Sequence, residues 1–493
     1  MIGSTGSPAS GASPAPAVPA PDAPRTGTAR AAAPAVPDVV RAGGWSAPEA
    51  LRAEGAQRRA GTPVKALTEL RPATGRDPVA VTAASNAGRV AQLVPIRIGR
   101  MISSPFAFLR GSAAVMAADL AANTADTGLH GYVCGDAHAA NFGFYASPER
   151  RLVMDVNDFD ETVVGPWDWD LKRLTASIVS AGREAGLPDD ECRDAARDCA
   201  TGYRTALAEL ADMPLLDAYY LTTDHSTLEH FGIGDLVDTF DRVRKKAKKN
   251  TSRRVAQKFT QRLDHDAWRF TPDPPILVPL ESAEAYPVIE SLDGYAATLD
   301  EEIRALFGRY AVVDVAHRIV GLGSVGYRSY VVLLHGNGDE ALVLQVKQAR
   351  ASALAPYLPP VPDQHAGERV VRGQRWMQTV SDVLLGWTSI DGQPYLVRQF
   401  RDMKGSIDPT TLRAGQLDDY ARVCGVVLAR AHAQSIDPRT LSGYCGAPDT
   451  ADGDEFDAAF ATFAVAYADQ TEADHAALVA AVSAGTLPAV TGV

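Results

Sequence analysis

Two stretches of this chain carry the side chains that phosphoryl transfer requires. Val133-Cys134-Gly135-Asp136-Ala137-His138-Ala139-Ala140-Asn141-Phe142-Gly143 sets an Asp and an Asn five positions apart in a loop after a short apolar strand. Transfer of a phosphoryl group needs a carboxylate to accept or orient the hydroxyl proton of the nucleophile. It also needs a nearby oxygen ligand for the magnesium that bridges the phosphates. Asp136 suits the first role and Asn141 the second; the alternative is a polar turn in which both cap backbone donors. Further on, Leu152-Val153-Met154-Asp155-Val156-Asn157-Asp158-Phe159-Asp160-Glu161 gathers five acidic or amide side chains at a strand end. Carboxylates crowded beside an apolar strand are costly without a positive partner. Mg²⁺ suits them, since one or two carboxylates hold it while water and phosphate fill its other positions. An exposed acidic turn is the competing account.

A second constellation lies far downstream. Gly321-Leu322-Gly323-Ser324-Val325-Gly326 spells G-x-G-x-x-G, which dinucleotide-binding folds also carry. There the third glycine opens a helix. Here Tyr330-Val331-Val332-Leu333-Leu334 is a β-branched apolar strand, so the glycines predict a hairpin whose backbone can approach phosphates. Leu342-Val343-Leu344-Gln345-Val346-Lys347 forms the next strand and places Lys347 where it can pair phosphates. Glu368, opening the following helix, is spaced to pair with Lys347, although Arg369 and Arg372 offer it other partners. The candidate nucleotide-binding residues are Gly321, Gly323, Ser324, Gly326, Lys347 and Glu368.

GDAHAANFG, MDVNDFDE and GPWDWDLKRL, with SPFAFLRG at Ser104 to Gly111, resemble the motifs of the bacterial DUF2252 family. That family's motifs are in turn similar to those of aminoglycoside phosphotransferases and other kinase-like proteins. The resemblance runs from about Arg97 to Asp469. It implies Asp136 as the base, Asn141 as a metal ligand, and a second metal-binding Asp followed after twelve residues by an Asp that begins a buried helix. Asp158 and Asp170 have that separation, which makes Asp158 the main metal ligand, with Asp155 and Asp160 as contenders. Cys134 stands where the kinase-like loop has His. His138 is expected to stabilise the loop, and Trp167 and Trp169 to anchor the core.

These residues must be positioned by two kinds of structure. Leu171 to Ala185, Asp189 to Met213, the run through Lys249, and Leu417 to Gln434 carry helical periodicity, whereas Ala311 onward reads as an antiparallel meander. Met101 to Ala122 is helical after Pro105, with Ser103 or Ser104 as a cap. The expected fold is α+β, a protein-kinase-like two-lobe fold with a mostly helical large lobe and a small antiparallel β nucleotide lobe. The expected divisions are a disordered Ala/Pro-rich tail at 1–37, a helical lobe at 38–310, the nucleotide lobe at 311–405 and a closing helical segment at 406–493. Ordinary kinases place the glycine loop before the catalytic loop. The reversed order here, with no second GDxHxxN after the helix around Leu428, predicts a circular permutation that brings Asp158 and Lys347 together.

At 493 residues and 46% hydrophobic content, the chain has ample core for several lobes. No apolar run approaches the roughly 20 residues of a membrane span, and a cytoplasmic location is expected. The five cysteines form no CxxC pair and read as thiols. A net charge of −12 disfavours nonspecific nucleic-acid binding. Arg242 to Arg254 departs from it with eight basic residues in thirteen, a solvated face or a segment folded over bound phosphate. The expected partners are ATP with Mg²⁺ and an unknown, possibly small-molecule acceptor. AMP transfer on the same fold, or a nucleotide-binding regulatory module without turnover, are the alternatives.

Overall fold

The computed structural model describes residues 46–71, 74–232, 234–262, 268–319, 325–337, 340–361, 364–400 and 403–492. The tail expected at 1–37 lies outside them. The protein is mixed α+β with antiparallel sheets, and no described helix is long and apolar enough to cross a membrane.

The helical part is built on Trp167–Glu184, Asp189–Asp212, Ala414–Ala433 and Ala451–Ser483. Their apolar stripes meet in one core that includes Leu171, Leu174, Tyr203, Leu207, Tyr420, Val427 and Phe460. Trp167, fully buried and stacked 5.6 Å from Tyr203, is the core anchor expected of it. Asp189–Asp212 and Ala414–Ala433 cross in backbone contact, because a Cβ on Gly425 would collide with the Cys199 carbonyl oxygen. All five cysteines are buried and free.

A six-stranded antiparallel sheet runs in the order Gly386–Ile390, Gln393–Gln399, Ala341–Gln348, Ser329–His335, Ala311–Arg318, Leu277–Pro279. The meander expected from Ala311 is its centre. Side chains alternate faces along a strand. Leu342, Leu344 and Val346 accordingly pack with Val288, Leu292 and Tyr295 of the helix Ser282–Ala296. Val343, Gln345 and Lys347 turn to the other face, where Val343 packs with Val331, Leu333 and Phe400 and Lys347 reaches the loop of Asp158 and Asp160. Leu277–Pro279 and Ser282–Ala296 belong to the sheet layer, so that layer begins before residue 311.

Other elements differ in detail from their sequence patterns. Met101 to Ala122 is interrupted at Ser112 into Pro105–Gly111 and Ala113–Ala122, and Ser104 caps the first by accepting the Ala107 N–H at 3.1 Å. The run toward Lys249 divides into short helices at Leu215–Tyr220, His225–His230 and Val237–Lys248. In the last of these Phe240 and Ala247 face inward while Lys245, Lys246 and Lys248 are exposed, a solvated basic face.

Candidate functional site

Three short antiparallel strands, Gly405–Ser406, Phe142–Ala146 and Leu152–Val156, carry the two acidic loops. A two-stranded ladder, His130–Val133 with Val163–Pro166, closes them from the other side. Asp136 and Asn141 lie in the loop between these ladders, and Asp158 and Asp160 lie in the loop that returns.

Asp170, in the first turn of Trp167–Glu184, fixes the loop before Asp136. Its carboxylate accepts the Cys134 and Gly135 N–H groups at 2.5 and 2.8 Å, and His432 Nε2 stands 3.3 Å from Oδ2. His432 Nδ1 in turn meets the Tyr203 hydroxyl at 2.8 Å. Gly135 is required here: its φ is +76°, and a Cβ would collide with the Glu161 carbonyl oxygen. Cys134, where a His was absent from the motif, is fully buried and supports the loop through its backbone N–H.

Arg173, three residues after Asp170 and therefore on the same helical face, bonds Asp136. Its Nε donates to Asp136 Oδ1 at 2.7 Å and its Nη2 also pairs with that oxygen. Asp136 Oδ2 faces His138 Nε2 at 3.8 Å. Burial, only partly offset by Arg173, pushes the Asp136 carboxyl up to about 7. Asn141 braces the two loops: Oδ1 accepts the Asp158 N–H at 2.8 Å and Nδ2 donates to the Asp158 carbonyl at 2.9 Å. Its oxygen keeps one lone pair beyond that bond.

Lys347, only 2% exposed, is enclosed by the second loop. Its ammonium stands 3.5 Å from Asp158 Oδ2 and pairs directly with Asp160 Oδ2. Burial alone would raise the Asp158 carboxyl, but Lys347 and Arg398 outweigh it and hold the group down to about 2. The Asp160 carboxyl, buried and beside Asp158, is raised. Asp158 keeps 45% of its side chain accessible while Asp160 keeps 19%. Asp155 faces elsewhere, into a buried pair with Arg430 at 2.7 Å.

The pairing of Lys347 with Glu368 is not the one formed. Glu368 binds Arg372 one turn along its own helix at 2.6 Å, and Arg369 donates to the Asp160 and Arg350 carbonyls at 2.7 Å. That helix, Ala366–Met377, thus holds the acidic loop through an arginine and not through the glutamate. Gly321, Gly323 and Ser324 lie outside the described residues. Gly326 is described, and its carbonyl accepts the Val90 N–H at 2.8 Å while Arg89 lies over Tyr327, 4.0 Å from the ring centre.

Beside Asp158 a cavity of about 260 Å³ is lined by Asn157, Gln378, Asp382, Arg398, Gln399 and Lys404. Burial, reinforced by Arg398, brings the Lys404 ammonium down to about 7. Among the described residues no group of three or more His, Cys, Asp or Glu forms a self-sufficient metal site. A magnesium that completes its shell with phosphate and water needs only one or two carboxylates. The accessible, ionised Asp158 with Asn141 beside it fits that requirement.

The architecture defines the class: a mixed α+β protein whose helical core and antiparallel sheet meet at a lysine held between two aspartates. The chain belongs to the family described as an uncharacterised protein conserved in bacteria, DUF2252, whose model matches residues 89–481. Comparison with curated proteins and with solved structures returned no match.

Arg398 and Lys404 carry no motif of their own, and Arg173 lies in GPWDWDLKRL without a role assigned to it. Arg173 alone left a trace, in its spacing from Asp170. Arg110 lies in SPFAFLRG and Arg97 seven residues before it, where nothing in one sequence distinguishes them from surface arginines.

Proposed function

We propose that the protein is an ATP- and Mg²⁺-dependent phosphotransferase acting on a hydroxyl group, with a kinase-like site whose halves are permuted in the chain. The observation that carries this is the enclosure of Lys347, from one motif, by Asp158 and Asp160 of the other. A buried ammonium between two carboxylates is a costly arrangement to keep for stability alone. In phosphoryl transfer it has a use: the ammonium pairs phosphate oxygens while a carboxylate holds the metal.

In this reading Lys347 binds the α- and β-phosphates, helped by the glycine segment ending at Gly326. Asp158 and Asn141 would hold Mg²⁺, which would supply charge neutralisation to the nucleotide phosphates. The acceptor oxygen bonds to the γ-phosphorus as the bond to the β–γ bridging oxygen breaks, and ADP leaves. The hydroxyl proton passes to Asp136 Oδ2, the oxygen that Arg173 leaves open. A carboxyl raised to about 7 is well matched to that transfer near neutral pH.

The test is product analysis of the full chain with ATP and Mg²⁺, alone and with cell extract, beside Asp136→Asn and Lys347→Ala. ADP formed by the wild type and lost in both variants is expected. AMP with pyrophosphate would move the assignment to nucleotidyl transfer. A wild type that neither turns over nor gains thermal stability with Mg-ATP would overturn it.

A further inference from the structure

Around the last turn of Pro105–Gly111 two arginine Nε atoms are buried without a hydrogen-bond partner. Arg97 is 2% exposed, yet its bonds go to neutral groups, Nη1 to Asn86 Oδ1 and Nη2 to the Gly111 carbonyl, both at 2.7 Å. Its Nε is buried without a hydrogen-bond partner. Arg173 donates to the Leu109 carbonyl at 2.8 Å from the catalytic side. Arg110 lies between those two carbonyls in the chain. Its guanidinium rests 5.8 Å from the Phe106 ring centre, and its Nε too is buried and unbonded.

His138 completes the group. It is 8% exposed, its Nδ1 has no partner, and its nearest ionic neighbour is Asp136 at 3.8 Å. A neutral imidazole there would offer one N–H. Donors buried without acceptors each cost on the order of 1–3 kcal/mol, and a buried arginine with no carboxylate costs more. Asp136, the carboxylate beside His138, is already bonded by Arg173, while the charged neighbours of Arg97 are Arg89, Tyr327 and Glu161.

We infer that Arg110 and His138 form an oxyanion site beside Asp136, and that the acceptor of the transferred phosphoryl group is itself anionic, carrying a phosphate or carboxylate near its hydroxyl. This rests on the phosphotransfer reading above, because Asp136 marks the acceptor side only if it is the base. The chemistry also works against polycationic amino sugars, which would meet an incompletely paired arginine.

The experiment titrates inorganic phosphate, and acetate in a parallel arm, into the full chain with and without saturating Mg-AMP-PNP. Binding is followed by ³¹P linewidth for phosphate and by calorimetry for both. Expected is saturable binding of one of the two anions that persists with the nucleotide bound and weakens at least tenfold in Arg110→Gln. Arg110 is only partly buried, and Arg110→Lys, which keeps the charge, should fall between. Phosphate binding alone assigns a phosphorylated acceptor; acetate binding assigns a carboxylate. Loss of the anion on adding Mg-AMP-PNP would overturn the proposal by giving this site to the nucleotide. So would binding indifferent to Arg110→Gln, or no binding of either anion. Failure of Mg-AMP-PNP itself to bind would overturn the phosphotransfer reading and the acceptor assignment with it, a result distinct from the others.

Discussion

Lys347 Nζ stands 3.5 Å from Asp158 Oδ2 although 189 positions of chain separate the two residues. The strand Ala341–Gln348 supplies the lysine and the loop after Leu152–Val156 supplies the carboxylates, so the contact ties the sheet to the helical part. Asp158 and Asp160 tolerate each other because the ammonium is between them.

Lys347→Met therefore has a cost apart from any loss of turnover. With the cation gone, two adjacent carboxylates face a buried methyl group, and removal of one partner from a buried pair typically costs about 3–5 kcal/mol. Adding Asp160→Asn relieves the repulsion, so the double variant should be more stable than Lys347→Met alone. Coupling on the order of 0.5–3 kcal/mol is expected for groups in one network. Urea unfolding of the four proteins measures it, and strictly additive losses would refute this account of the cluster.

The pH dependence of turnover should report Asp136. Its carboxyl is raised from 3.8 to about 7, first by burial, with Arg173 opposing. A base must be ionised, so kcat/KM should drop about tenfold per pH unit below that value and level off above it. Stability moves the other way. Across the window from 3.8 to about 7 the folded state holds a proton that the unfolded chain has released, so this group's contribution declines as pH rises. Asp136→Asn should remove both dependences and lower kcat by about 10²–10⁴-fold. It should leave the thermal shift with Mg-ATP nearly intact.

Much of this cluster was legible in the sequence because its chemistry is local. Asp136 and Asn141 share one loop, Asp158 ends one strand, and Lys347 follows a strand pattern of period two that fixes its face. What could not be read depends on tertiary neighbours. Glu368 had the spacing to reach Lys347, but Arg372 lies one helical turn away and takes it. Leu277–Pro279, three residues long, is too short to show a strand period. Asp155 and Asp158 both stand in MDVNDFDE, and the pairing of Asp155 with Arg430 on a distant helix could not be read from it.

Gly135 offers a test of the loop against a matched control. Gly392 also has a positive φ, +72°, but a Cβ there meets nothing within 4 Å. Gly392→Ala should cost only the left-handed conformation, about 1–2 kcal/mol. Gly135→Ala has the same backbone penalty and also a collision with the Glu161 carbonyl, which must displace the Asp136 loop or the Asp160 loop. A larger drop in melting temperature is expected, together with a fall in kcat of at least tenfold that Gly392→Ala does not share. Equal kinetics in the two variants would show that the loop has room to adjust.

Asp155 and Asp158 should separate stability from metal dependence. Asp155 and Arg430 are both almost fully buried, and Arg430 also donates to the Met377 carbonyl at 2.7 Å. Asp155→Asn leaves the arginine charge uncompensated, with an expected loss of about 3–5 kcal/mol. At a temperature where the variant remains folded, its magnesium requirement should match the wild type. Asp158, nearly half accessible, stands 3.5 Å from its lysine, so Asp158→Asn should unfold at a denaturant concentration closer to wild type. The loss there is in the metal: turnover should fall at least a hundredfold, and the magnesium concentration for half-maximal stabilisation by ATP should rise. A variant pair with these behaviours exchanged would make Asp155 the ligand and Asp158 the structural carboxylate.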